Sequence, residues 1–190
     1  FYSSIANFLK KQFPTVNEPI DLEKFITDTK IKVIIETIQN NYILEWRKRL
    51  ENSSKLSFLN KFKKEYKLED YLSIIKDPSI RWLYTKYRIS NHKLLIEHGR
   101  YQQIPREERI CKQCSNDSVE DEFHVAFECH KYDNLRNNCH NILKNIFQIQ
   151  TTIESKKDLL THIMSNNDQV LTNLFSNFIA KCFLVRDKCS

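Results

Sequence analysis

The sequence predicts a mainly α protein with a helical bundle-like frame. Only one Gly and four Pro occur in 190 residues, and because turns and hairpins depend on Gly, this scarcity favours helices joined by short polar connections. Apolar residues recur at intervals of three and four along most of the chain, as on one face of a helix. The exception is a Cys/His motif, Cys111-x2-Cys114-x9-His124-x4-Cys129. Its ligand types, number and spacing are those of a structural zinc site. It predicts a small zinc-stabilised module inserted after the middle of the chain.

The helices before the motif are predicted from apolar stripes and capping residues. A short amphipathic helix is expected over residues 2–13. The longest periodic segment, Asp21–Leu50, carries an apolar stripe that is expected to pack in a core. Three shorter helices should follow: one after the Asn52–Ser54 loop, one over Glu69–Lys76, and one starting at Asp77-Pro78, since Pro is tolerated in a first turn.

Gly99 is the only glycine of the chain. A lone Gly suggests either a positive-φ turn or a close approach of another group to the backbone. We expect it to end the segment Lys93–Glu97 and to turn the chain into the zinc module.

Three segments are predicted after the motif. Asp133–Phe147 should be a helix, Thr151–Lys157 a linker and Asp158–Met164 a short helix. The stripe over Asp168–Arg186 predicts a final helix. These elements suggest three regions: a helical region (1–88), a zinc-binding module with its basic approach segment (89–136) and C-terminal helices (137–190).

The motif cysteines have three other interpretations: a redox pair, a disulfide, and incidental buried thiols. No βαβ pattern surrounds Cys111 and Cys114, as a redox pair would require. The chain is too large and helical to need disulfide staples, and no signal peptide or transmembrane run is visible. The C-x2-C pair beside a well-placed His and Cys favours metal in a reducing compartment. Between Gln113 and Cys129 there are five acids and no Lys or Arg. This stretch is expected to have little to bury, so a metal ion should hold it together.

The local pattern also predicts how the ligands are presented. Glu120 or Asp121 should start a helix that contains His124, with Cys129 at or after its end. A nearby carboxylate is expected to orient the second ring nitrogen of the histidine. Four protein ligands close the coordination sphere, so the predicted zinc is structural.

The remaining Cys and His residues are weaker candidates. His130 is a possible but lower-ranked competitor for the metal. Cys139 and Cys182 lie on apolar helix faces and should simply pack, and Cys189 is uninformative. Without evident partners, the other histidines are expected at the surface or in turns: His92, His98, His140 and His162.

Positive charge is concentrated just before the motif. From Glu45 to Lys112 there are 17 Lys/Arg and 9 Asp/Glu, a net +8, whereas the rest of the chain has a net −2. Such a segment either attracts phosphate backbones or is a solvated surface. Basic residues also alternate with Trp82, Tyr84 and Tyr87, aromatics that either stack on bases or pack in the core. The predicted phosphate contacts are Arg81, Lys86, Arg88, Lys93, Arg100, Arg106 and Arg109.

A longer string of residues surrounds the motif. It comprises Arg88-x3-His92-x-Leu94-x-Ile96-Glu97-x-Gly99-Arg100, Ile104-Pro105-Arg106-x2-Arg109-x-Cys111-x2-Cys114, and Glu120-Asp121-Glu122-Phe123-His124-x4-Cys129-x2-Tyr132-x2-Leu135-Arg136. Over these 49 residues the chain resembles the region after the polymerase in non-LTR (LINE-type, RTE/jockey-like) retrotransposon endonuclease–reverse transcriptases, with its CCHC motif. It departs from that pattern at His130, where Pro is common.

The resemblance implies a non-catalytic region that binds element RNA, target DNA or both during target-primed reverse transcription. Its expected partners are the upstream polymerase and endonuclease domains of the same polypeptide, and its expected location is intracellular and nuclear. The chain, which begins at Phe1, is expected to be a segment of that polypeptide. It has neither a Tyr-x-Asp-Asp-like polymerase turn nor an endonuclease constellation, so it should not be an enzyme by itself. No membrane contact is expected. The alternative is a zinc-braced helical scaffold for protein–protein contact that touches no nucleic acid.

Overall fold

The computed structural model describes residues 28–139, 153–165 and 167–187. The predicted helix over residues 2–13 lies outside this part of the chain, as do the second half of the predicted helix Asp133–Phe147, His140 and Cys189. Two compact units are defined, with the division between Arg49 and Leu50. The boundaries predicted at residues 88 and 136 both fall within the second unit, and the three-region division stays a prediction.

The described residues are mainly helical, as the sequence predicts. The α-helices are α1 (Asp28–Asn52), α2 (Ser57–Phe62), α3 (Tyr71–Ile74), α4 (Pro78–Arg88), α5 (Leu95–Tyr101), α6 (Glu122–Phe127), α7 (Ile153–Ser165) and α8 (Gln169–Asp187). Short 3-10 turns occur at Arg106–Glu108 and His130–Tyr132, and residues 133–139 are helical. Within these described ranges, pairing between extended segments is limited to one isolated antiparallel bridge, Ile110 with Val119.

Helix α1 confirms the long helical segment, but its apolar stripe is not a core face throughout. Leu50 is buried, whereas Ile35 and Tyr42 are exposed. Val33 and Leu44, outside the predicted stripe, are exposed as well.

The core of the second unit forms where α8 packs against α4. Phe175 of α8 lies edge-on to Tyr84 and Tyr87 of α4, with ring centroids 6.3 and 6.1 Å apart. Edge-to-face geometry is favoured by the quadrupoles of aromatic rings. Helix α7 packs on α2 and α6, and α8 also packs on α3. Asp77 caps α4 by accepting hydrogen bonds from the backbone N–H groups of Ser79 and Ile80.

Two predicted boundaries were wrong. The expected two-turn helix over Glu69–Lys76 is a single turn, α3, because Ile75 is extended, which buries its side chain and turns its carbonyl toward Arg81. The expected linker Thr151–Lys157 and short helix Asp158–Met164 are largely one helix, α7. Lys157 and Asp158 form the exposed side of that helix, and Leu159 and Leu160 form its buried side.

Gly99 does not end a helix or adopt a positive φ, so this prediction was also wrong. It lies inside α5. The close-approach alternative is confirmed, because a Cβ at this position would lie 2.8 Å from Cγ of Arg109. The side chain of Arg109 crosses α5 at this point and donates to the carbonyls of Ile96 and Ile104.

Candidate metal centre

The first two cysteines lie on a loop closed by backbone hydrogen bonds. Cys111 N–H donates to the carbonyl of Ser118 at 2.9 Å, and Glu120 N–H donates to the carbonyl of Arg109 at 2.9 Å. Inside the loop, Asp117 has a φ of +40°, a left-handed conformation that Asp tolerates better than most residues. The loop therefore fixes the base of the Cys111–Cys114 turn.

The other two candidate ligands come from α6 and the residues after it. Asp121 caps the helix by accepting a hydrogen bond from the His124 N–H at 2.9 Å. His124 lies within α6, and Cys129 follows its end and donates its N–H to the carbonyl of His124 at 2.8 Å. The structure thus confirms the predicted helix start and the placement of both ligands.

The four side chains converge on one point. Their ligand atoms all lie within 4.8 Å of one another. Cys111 Sγ lies 3.9 Å from Cys129 Sγ, and Cys114 Sγ lies 3.3 Å from His124 Nε2. Cys111, His124 and Cys129 are buried. These four residues can hold a metal ion.

The same geometry argues against a disulfide interpretation. A disulfide needs about 2.05 Å between the sulfurs. The pair considered from the sequence, Cys111 and Cys114, is not bonded, and Cys111 Sγ lies 3.9 Å from Cys129 Sγ. The described cysteines are all free thiols. Cys139 and Cys182 are buried in helices, as predicted, and burial raises the pKa of the Cys139 thiol to about 11.

The cluster favours one thiolate and a charged imidazole. Hydrogen bonding from Cys129 lowers the pKa of Cys111 to about 3, although burial opposes ionisation. Burial alone would lower the pKa of His124, but hydrogen bonds to Cys111 and Glu128 outweigh it and raise that pKa to about 9. The pKa of Cys129 is raised because its thiol is hydrogen-bonded to Cys111. A bound cation would displace these protons and take their place.

Glu128 is the carboxylate that orients the histidine. Its Oε2 lies 3.2 Å from Nδ1 of His124, which leaves Nε2 facing Cys114. Such partners fix the orientation of a metal-binding imidazole. The sequence predicted a carboxylate here without naming it, and the spacing of four residues along a helix was the available signal.

Arg136 is a supporting residue that was not recognised from the residue pattern. Its guanidinium is buried and donates to the carbonyls of Ala126, Val125 and Cys129 at 2.9, 3.2 and 2.8 Å. The carbonyls of Val125 and Ala126 lie in the last turn of α6, where a helix leaves its backbone acceptors unsatisfied. The third carbonyl belongs to Cys129 itself. Arg136 therefore fixes Cys129 relative to the helix.

The prediction that the acidic stretch has little to bury was wrong. Glu120 is only 1% exposed. Its carboxylate accepts hydrogen bonds from the Leu95 N–H at 2.8 Å and from Arg186 of α8 at 2.9 Å. A buried carboxylate is stable when it is paired and hydrogen-bonded in this way. Residues 111–129, called the metal segment below, are thus attached to α5 before them and to α8 after them.

Glu122 is buried as well, and its partner corrects the expectation for His92. The His92 side chain is buried, and its Nε2 lies 3.0 Å from Glu122 Oε1. Ser90 donates to the same oxygen at 2.5 Å. Burial raises the pKa of Glu122, but these two hydrogen bonds outweigh it and lower the pKa below its usual value. His92 is therefore not a surface residue. It is buried and pairs with Glu122, which lies 30 residues later in the sequence. His130, by contrast, is exposed and outside the cluster of four.

Four of the seven predicted phosphate contacts are arginines engaged within the protein. Arg88 is 4% exposed; it pairs with Glu69 and donates to the Met164 carbonyl. Its guanidinium also lies over the rings of Phe62 and Tyr71. The others donate to carbonyls or carboxylates as follows: Arg81 to Leu72 and Ile75, Arg109 to Ile96 and Ile104, and Arg100 to both oxygens of Glu97.

The other three predicted contacts lie closer to solvent. Lys93 and Arg106 are exposed and pair at the surface with Asp187 and Asp121. Lys86 Nζ lies 3.6 Å from the ring centroid of Trp82. That indole is 57% exposed, whereas Tyr84 and Tyr87 are core residues.

Comparisons with protein-family models, with curated proteins and with solved structures found no match. In the part of the chain that the structure describes, no helix is both long and apolar enough to cross a membrane.

Proposed function

We propose that Cys111, Cys114, His124 and Cys129 bind one structural zinc ion. The observation that carries this proposal is the separation of the ligand atoms. With Zn–S near 2.3 Å and Zn–N near 2.0 Å, tetrahedral zinc separates two sulfurs by about 3.8 Å and a sulfur from a nitrogen by about 3.5 Å. The corresponding distances here are 3.9 and 3.3 Å. Cysteine and histidine are also the ligand types that zinc prefers.

The zinc proposal is tested by elemental analysis of protein purified under reducing conditions. One zinc per chain is expected, and Cys129→Ser should lower that content. Cys139→Ser, which changes a buried thiol outside the cluster, is the matched control and should retain the metal. Protein that contains no zinc would refute the assignment.

We further propose that the chain is a nucleic-acid-binding accessory region of a non-LTR retrotransposon reverse transcriptase. Two observations support this. The segment 45–112 has a strong excess of basic residues, and Lys93 and Arg106 within it are exposed. The residues Arg88 to Arg136 also resemble those of the family. In this proposal the zinc is a brace that positions the preceding basic segment, and the phosphate contacts are made by that segment.

The proposed role of this region is that of an accessory to reverse transcription. The region itself is non-catalytic and assists target-primed reverse transcription by binding RNA, DNA or both. The polymerase and endonuclease domains of the same polypeptide are its partners, and the nucleus is its site of action. Detection of such domains upstream of Phe1 would test the family assignment directly.

Binding is tested by replacing the exposed or partly exposed candidates and leaving intact the four arginines that bond within the protein. The triple variant Lys86→Gln, Lys93→Gln, Arg106→Gln should weaken RNA or DNA binding and flatten its salt dependence. The slope of log affinity against log salt should fall by roughly 0.7 to 0.9 for each phosphate that is no longer neutralised. The control is Lys32→Gln, Lys131→Gln, Lys181→Gln, which removes the same charge from exposed positions outside the segment 45–112. Equal binding by the two triple variants would contradict the proposed contacts.

The exposed apolar residues of α1 favour a second candidate function. Ile31, Val33, Ile35, Tyr42 and Leu44 are all at least 37% exposed. A zinc-braced scaffold that contacts protein through this helix would have no need of nucleic acid. In that case the double variant Val33→Lys, Leu44→Lys should no longer associate with the rest of the polypeptide. Neither this variant nor the unmodified protein should bind nucleic acid.

A further inference from the structure

A groove of about 820 Å³ opens beside the metal segment. It lies between α2, α5, the segment before Cys111, the start of α6, and α7. Its apolar lining, called the floor below, is largely aromatic and consists of Phe58, Phe62, Ile96, Phe123 and Leu160. This volume is within the usual range of ligand sites in proteins.

The groove has a positively charged rim. Six cations line it, Lys55, Lys61, Arg100, Arg106, Arg109 and Lys157, against three acids, Glu97, Asp121 and Glu122. Arg100 is held by Glu97, and Arg109 by backbone carbonyls. Lys61 and Lys157 are exposed, so their ammonium groups can meet a ligand without breaking a buried contact.

Phe123 belongs to the apolar floor, and the ammonium group of Lys157 lies near its ring. This ring is partly exposed and packs on the ring of Phe127, with centroids 5.4 Å apart. Lys157 Nζ lies over the Phe123 ring, 5.9 Å from its centroid. A base that stacks on the ring would take the place of this ammonium group, and the displaced ammonium group would then lie within reach of the phosphate of that nucleotide.

We infer that this groove holds an unpaired nucleotide of single-stranded nucleic acid, with the base on Phe123 and the phosphates near Lys61 and Lys157. The inference rests on the proposed nucleic-acid binding and assigns it a place and a strand form. A duplex keeps its bases stacked inside and cannot press one against an apolar floor, whereas a single strand can. Free phosphate would use the rim and leave the floor in water.

An acidic peptide is the other occupant that these charges would suit. Its backbone N–H and C=O groups would lose water against a floor that is mainly hydrocarbon, which is costly without partners. A base presents a flat π-face to such a floor. The observations therefore favour the nucleotide, and the peptide is an outcome of the test.

The test measures binding of a labelled 15-nucleotide single strand and of its duplex to the full 190-residue chain loaded with zinc. The single strand should bind at least ten-fold more tightly. Lys61→Glu with Lys157→Glu should reduce single-strand affinity at least ten-fold, and removal of two phosphate partners should lower the salt slope by about 1.4. Phe123→Leu keeps an apolar side chain but removes the ring, and should weaken binding by about five-fold or more.

Lys76→Glu with Lys181→Glu is the matched control, because it makes the same charge change at exposed positions outside the groove. It should change single-strand affinity less than the groove pair does. Each variant is first checked for retained zinc and helical circular dichroism. If Phe123→Leu loses zinc, the lysine pair alone decides the question.

The outcomes separate the groove from the general function. Equal effects of the two lysine pairs, or equal binding of single strand and duplex, would overturn the groove assignment while nucleic-acid binding stands. Displacement of the strand by a glutamate-rich peptide at equal charge concentration would assign the groove to peptide instead. Absence of binding to either strand form would overturn the proposed function together with this inference.

Discussion

Arg136 shows how one buried side chain can support the candidate metal ligands without being one of them. All three of its guanidinium nitrogens donate within the protein, to Ala126, to Asp133, and to Val125 and Cys129. The planar fork of Arg suits several acceptors at once, and neither Lys nor Gln can reproduce it. The cost of losing it should therefore appear in metal affinity as well as in stability.

We expect Arg136→Gln to weaken zinc binding by roughly 10- to 100-fold, as is usual for residues that support metal ligands. The carbonyl of Cys129 would lose its donor, and the ligand its fixed position. Competition with a chromophoric chelator measures the change. Arg49→Gln, at an exposed position in α1, is the control and should bind zinc like the unmodified protein.

Gly99 lies where the side chain of Arg109 crosses α5, so we expect its replacement to destabilise the protein. Ala is normally better than Gly in a helix by about 1 kcal/mol. Here the new Cβ would lie 2.8 Å from Cγ of Arg109, near the stem of a side chain whose guanidinium is held by two carbonyls. Gly99→Ala should therefore destabilise the protein by about 1–3 kcal/mol, measured by urea unfolding. A more stable variant would show that Arg109 can move aside freely.

The sequence correctly predicted which four Cys/His residues lie together, but it missed most of the distant residues that support them. The spacing from Cys111 to Cys129 reflects local chain geometry, so it can be recognised in one dimension. The pairs Glu120–Arg186 and His92–Glu122 join residues 66 and 30 positions apart. No local pattern relates such residues, and charged or polar side chains were assigned to the surface by default.

Helix α6 and the Cys111–Cys114 loop are short elements, and both are fixed partly by the Cys/His cluster. Val125, Ala126 and Phe127 of α6 are also buried in the hydrophobic core. Asp121 caps the helix and the Ile110–Val119 bridge closes the loop, yet neither element is long enough to be stable alone. The core of α4 and α8, in contrast, is formed by aromatic and aliphatic packing. The two parts should respond differently to metal removal.

Chelation should therefore loosen Arg109–Leu135 while much of the helical signal remains. Hydrogen exchange is the measurement, with the N–H groups of Cys111, Glu120 and Cys129 losing protection first. The buried N–H groups of α8 should stay protected, and they serve as the internal control. If chelation removed the protection of the α8 N–H groups together with that of Arg109–Leu135, the expected difference between the two parts would be contradicted.

Element boundaries were predictable where a capping residue or a clean stripe marks them. Asp77 and Pro78 fixed the start of α4, and the stripe of α8 predicted that helix within one residue at each end. The end of α3 was missed because the position of Ile75 depends on burial and on Arg81, a residue of the next helix. Tertiary contacts decided that boundary.

Across the second unit, Arg88 joins elements that are far apart in sequence. It pairs with Glu69 ahead of α3, donates to Met164 at the end of α7, and lies over rings from α2, α3 and α4. From the sequence, Arg88 was predicted to contact phosphate. A positive charge among aromatic residues fits such a contact and fits a buried ion pair equally well. Only the folded arrangement shows which neighbours enclose it.

Arg88→Met should destabilise the unit by about 3 kcal/mol or more, since it leaves an acid and a carbonyl without their partner in a largely buried site. Denaturant unfolding monitored by circular dichroism provides the value. Lys86→Met, on the same helix and partly exposed, should stay within about 0.5 kcal/mol. Similar values for the two variants would mean that the Arg88 interactions contribute little.

The bond from Arg186 to Glu120 has a consequence for synthesis of the chain. Arg186 of α8 supplies the charge that the buried Glu120 carboxylate faces, and it also donates to the Lys93 carbonyl at 3.0 Å. All four cysteine and histidine ligands leave the ribosome before α8 does. A nascent chain can thus bring these four residues together early, but Glu120 gains its Arg186 partner only when α8 has emerged. Emergence of α8, rather than assembly of the four Cys/His residues, should set the time at which this region matures.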